Sequence, residues 1–80
     1  MSMFFIHSRR GGEIARDVEG QDLPGLEAAQ AAATASMREL LADEIRHPKG
    51  QSLEAMIIAD EAGKELMTIR ANDVLPEPLK

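Results

Sequence analysis

Cysteine is absent from this chain of 80 residues, and so are tryptophan and tyrosine. Without cysteine there is no disulfide scaffold, no thiolate zinc site and no thiol nucleophile. A secreted domain of this size usually needs such staples, so the composition points to a cytoplasmic setting. Only two aromatic side chains are available, Phe4 and Phe5. The core must therefore be assembled from Leu, Ile, Met and Ala, and five methionines make it adaptable. No apolar run approaches the roughly 20 residues that a membrane-crossing helix needs. Met1 to Ile6 is too short for a secretory leader and lacks its basic flank. A block of positive charge is missing too. The formal net charge is −5, and Arg9-Arg10 is the nearest approach to a basic cluster. Binding to nucleic acid or to an anionic membrane is disfavoured, because both need a positive footprint.

What remains is a chain of one-domain length. Such a chain buries only about 60–70% of the surface its unfolded form exposes. Thin cores of this kind often gain stability by dimerising.

Met3 to Ser8 is rich in aromatic and β-branched residues and predicts a first strand. Phe4 and Ile6 fall on one face, and Phe5 and His7 on the other. Gly11-Gly12 suits a tight hairpin, with Glu13 to Asp17 returning as an edge strand. Asp17 to Gly20 then turns the chain. Pro24 suits the first turn of a helix and Gly25 its N-cap. Leu26 to Arg46 is the one long helix. Its apolar stripe is Leu26, Ala29, Ala33, Met37, Leu40, Leu41 and Ile45. Pro48 ends it. Ser52 to Asp60 and Lys64 to Ala71 predict two more strands, joined by Asp60-Glu61-Ala62-Gly63 with Gly63 in the left-handed position. Asn72 to Lys80, with two prolines, reads as a loose tail beyond a domain of residues 1–71.

The order β-β-α-β-β defines an α+β, two-layer domain: a four-stranded sheet with one helix on one face. The expected strand order is 2-1-3-4, with strands 1 and 3 central and parallel across a helical crossover. Met56, Ile58, Met67 and Ile69 should meet the helix. Phe5, Ile57 and Leu66 should lie on the uncovered face, among His7, Thr68 and Arg70, and are the candidate interface residues.

Chemistry-bearing patterns are weak. Asp17, Glu19, Asp22 and Glu27 form an acidic cluster whose spacing fails the EF-hand loop, so a solvated turn near a helix N-terminus explains it better. His7 and His47 are far apart and lack metal-ligand spacing. No nucleophile elbow surrounds Ser8, Thr34, Ser36, Ser52 or Thr68, and Gly11-Gly12 lacks the Lys and helix of a phosphate loop. The reading is of a non-enzyme without catalytic residues, cofactor or metal. Small residues surround the helix from Ala28 to Ser36, which lets it lie flat on the sheet.

Several of these segments together resemble a known family. They are Phe4-Phe5, Asp17-Val18-Glu19-Gly20, Leu23-Pro24-Gly25-Leu26-Glu27-Ala28-Ala29, Asp60-Glu61-Ala62-Gly63 and Met67-Thr68-Ile69. The resemblance is to short alphaproteobacterial proteins catalogued as a domain of unknown function. It spans roughly Met3 to Ala71 and implies a bacterial β-β-α-β-β domain with no assigned activity. Asp22-Leu23-Pro24-Gly25 before an Ala-rich helix is also similar to the strand-to-helix junction of HicB-type antitoxins. The leading expectation is a protein-interaction or regulatory module, partnered by itself as a homodimer. An antitoxin-like partner of a basic toxin is the alternative, and a small-ligand binder or enzyme is the least favoured.

Overall fold

The computed structural model describes residues 2–48 and 50–76. The first strand, β1, is Ser2–Arg10. Gly11 and Gly12, both at positive φ (54° and 82°), reverse the chain into β2, Glu13–Ala15. After an arch over residues 16–20 the chain regains the edge of β1 as β3, Gln21–Leu23. The long helix α1, Leu26–Arg46, follows. Next come β4, Leu53–Ala59, β5, Glu65–Arg70, and a single turn of helix, α2, Ala71–Val74. The result is an α+β fold with a five-stranded antiparallel sheet and one main helix. The order is β2-β1-β4-β5, with β3 also on β1.

Two features differ from the sequence expectation. The return strand is split into two pieces, which makes five strands rather than four. The central pair β1 and β4 is antiparallel, not parallel, with Ile6 opposite Ile58 and His7 opposite Ile57. The reason is the number of reversals. The Gly-Gly hairpin turns the chain once, the start of α1 turns it back, and the link from α1 to β4 turns it again. β4 therefore runs against β1.

Alternation along the strands sends Phe4, Ile6, Met56, Ile58, Met67 and Ile69 toward α1. The helix answers with Ala29, Ala33, Met37 and Leu41, all buried. Its alanines let the backbone approach the sheet closely, and Met37 and Ile58 fill the centre with no exposure above 0%. Leu26, Leu40 and Ile45, at the margins of the expected stripe, stay 36–58% exposed. At the far end Glu44 ties helix to sheet. Its carboxylate pairs with Arg10 and accepts the Leu53 backbone N–H at 3.0 Å.

The expected tail from Asn72 onward begins instead as part of α2. Ala71 is buried, and Val74 and Leu75 pack against the helix-side core. Residues 77–80 of that tail lie outside the described residues. Both helices thus occupy the same side of the sheet. No helix among the described residues is long and apolar enough to cross a membrane.

Candidate interaction surface

Two regions are not explained by core formation alone: the arch between β2 and β3, and the far edge at β5.

The arch arises from a mismatch of lengths. Ala15 faces Ser8 and Gln21 faces Phe4, so the five residues 16–20 stand opposite only three, Phe5 to His7. Backbone pairing fails across this gap and Asp17 replaces it. Its carboxylate accepts the Ile6 N–H across the gap at 3.1 Å, and the N–H groups of Glu19 and Gly20 at 3.1 and 3.0 Å. The Asp17 backbone N–H in turn donates to His7 Nδ1 at 3.0 Å. An accepting Nδ1 places the ring proton of neutral His7 on Nε2. Gly20 closes the arch at φ +74°. A side chain there would meet the Phe5 ring at 2.9 Å and the Phe4 carbonyl oxygen at 3.1 Å. The outcome is a pinned loop that carries Val18 at its tip, 86% exposed.

The sheet face opposite the helices is less apolar than the sequence suggests. Phe5 is half-buried beneath Gly20, and Ile57 is 3% exposed between His7 and Thr68. Leu66 is not part of that face. The register shifts between Ile58 and Ala59, a bulge that leaves Leu66 packed against the helix-side core. The candidate interface residues Phe5, Ile57 and Leu66 therefore do not form one patch. On the same face Arg9 and Arg70 flank buried Ala55.

The acidic cluster is also dispersed. Asp17 turns inward to backbone donors, Asp22 lies on β3 and Glu27 in the first turn of α1. Among the described residues no three His, Cys, Asp or Glu side chains are placed to hold a metal ion. His7 lies mid-sheet with Nδ1 engaged, whereas His47 caps α1 and donates its backbone N–H to the Asp43 carbonyl. A groove of about 230 Å³ between the end of α1, the start of β4 and α2 is lined mainly by Leu41, Ile45, Leu53, Ala71 and Leu75. Its one carboxylate, Glu44, is already engaged by Arg10 and Leu53.

Two carboxyls are electrostatically tuned. Burial pushes the Asp17 carboxyl up, but hydrogen bonds from Gly20, Ile6 and Glu19 and the nearby His7 outweigh it, and the net displacement is downward. Glu44 behaves alike: burial raises it, while Arg10 and the Leu53 N–H bring it below its ordinary value. A carboxyl depressed in the folded state stabilises the fold above its unfolded pKa, and that stabilisation disappears as pH falls through the folded value. Unfolding midpoints in urea should therefore decline from about pH 5 downward. Asp17→Asn should flatten that decline. A profile of unchanged slope in the variant would remove Asp17 from the account.

Fold and surfaces together define a small two-layer α+β domain with its helices on one side of an antiparallel sheet, its return strand bridged by an aspartate. Residues 3–72 match the DUF6894 domain of unknown function, and the chain belongs to that family. No curated protein and no solved structure shows significant similarity to it.

Proposed function

We propose that this chain is a small non-catalytic protein-interaction module that works as a homodimer, in a bacterial cytoplasmic setting. The observation that supports the reading is the incomplete cover of β5. It is an outer strand, and Leu66, Met67 and Ile69 stay half-buried although all three belong to the core. The long helix packs chiefly on β4, and β5 is met on that side mainly by the single turn of α2. Apolar side chains left part-covered beside unpaired backbone groups are what strand addition by another chain completes.

Sedimentation analysis at micromolar concentration tests the proposal. A dimer is expected, and a single species of 8.7 kDa up to high concentration would overturn it. An antitoxin-like role against a basic protein is the second reading. The net charge of −5 and the exposed acids Glu27, Glu39 and Asp43 along α1 favour it. It requires a basic partner that binds less tightly as salt rises.

A further inference from the structure

We infer that the homodimer forms by antiparallel pairing of β5 with β5 of a second copy, about a two-fold axis passing through Thr68. The inference presupposes the self-association proposed above and names the surface that performs it.

β5 has β4 on one side and no strand on the other among the described residues. Its bulge lies at the Glu65-Leu66 end, so Met67 to Arg70 runs in regular register with β4. Directly opposed residues of an antiparallel pair share a face, which limits the self-pairings that keep the sheet continuous. Centring on Thr68 sets Ile69 of each copy against Met67 of the other, on the helix side where both are half-buried. Thr68 meets Thr68 on the opposite face, where it is exposed. Arg70 then comes level with the bulge, whose extra residue Leu66 turns to the helix side, and stands beside Glu65 of the second copy.

Both charged side chains are exposed, and both stand on the face away from the helices, since Arg70 opposes Ala55 and Glu65 opposes Ala59. Two-fold symmetry creates the Glu65–Arg70 pair twice. The neighbouring settings do worse. Centring on Met67 brings Lys64 against Arg70 and Glu65 against Ile69. Centring on Ile69 forces Ala71, already the first residue of α2, to pair as strand.

Charge exchange tests this register. Glu65→Arg and Arg70→Glu, made singly, each place like charges at two points of the interface. Each should weaken dimerisation about tenfold in sedimentation equilibrium. The double exchange Glu65→Arg/Arg70→Glu should return the dissociation constant to near that of the unaltered chain. Far-UV circular dichroism controls for folding. Hydrogen exchange on the unaltered protein is a second measurement that needs no variant: amides of residues 65–70 should gain protection as concentration rises. A dimer that ignores the single exchanges and gains its protection elsewhere would overturn the β5 interface and leave self-association standing. A chain that stays monomeric would remove both.

Discussion

Asp17→Ala should cost the folded chain about 2–3 kcal/mol, the largest effect expected from any side chain outside the core. Three backbone N–H groups, of Ile6, Glu19 and Gly20, lose their acceptor at once. The Ile6 N–H suffers most. It lies inside the arch, where no strand carbonyl replaces the carboxylate, and a donor left without a partner away from water costs roughly 1–3 kcal/mol. The donors of Glu19 and Gly20 are nearer solvent and recover part of their loss in water. Urea unfolding of variant and parent measures the total, and amide exchange localises it to residues 6, 19 and 20. Asp17→Asn keeps one acceptor oxygen and should forfeit about half as much. Equal stability of Asp17→Ala and the parent would mean that the arch is held by its backbone alone.

Ile58→Ala should be more damaging, by about 3 kcal/mol within a usual range of roughly 2–5. Ile58 is fully buried and stands between Ile6 on β1 and Met67 on β5. Met37 belongs to the same core cluster. Phe4 belongs to it too, and the cavity closes only as far as such neighbours can shift into it. For a domain of this size 3 kcal/mol amounts to a fall in Tm of about 12–24 °C. Ile58→Val removes one methyl group and should cost only about 1 kcal/mol. Thermal unfolding of the two variants gives the comparison. A similar small loss in both would show that the core recloses over the gap, and would place the centre of packing elsewhere.

The hairpin between β4 and β5 was readable because its chemistry is local. Gly63 adopts φ +84°, and the Asp60 side chain accepts from Ala62 and Lys64, all within five residues. The centre of the helix stripe was readable for the same reason: a period of 3.6 places Ala29, Ala33, Met37 and Leu41 on one line. The direction of β4 needed only a count of reversals. A helical connection suggested a parallel crossover, but the hairpin before the helix had already turned the chain.

The arch was not readable. Asp17-Val18-Glu19-Gly20 has the composition of an ordinary turn, and nothing local reveals that Asp17 reaches the amide of Ile6, eleven positions earlier. The exposure of Val18 follows from that long-range bond and was equally hidden. Leu66 was misplaced because strict alternation assigns it to the far face, and a bulge suspends alternation. α2 was missed because a four-residue helix carries too few positions for a period, and its residues are held by packing on α1 and β4.

The aspartate bridge also limits how far the sheet could extend sideways. Beyond β1 the margin consists of two three-residue pieces, out of step by two positions. Neither is long enough to template an incoming chain. Among the described residues the longer free flank is β5, regular from Met67 to Arg70. In the dimer proposed above, one border of the sheet is used and the other is broken, so the same carboxylate that mends the gap works against fibrous growth.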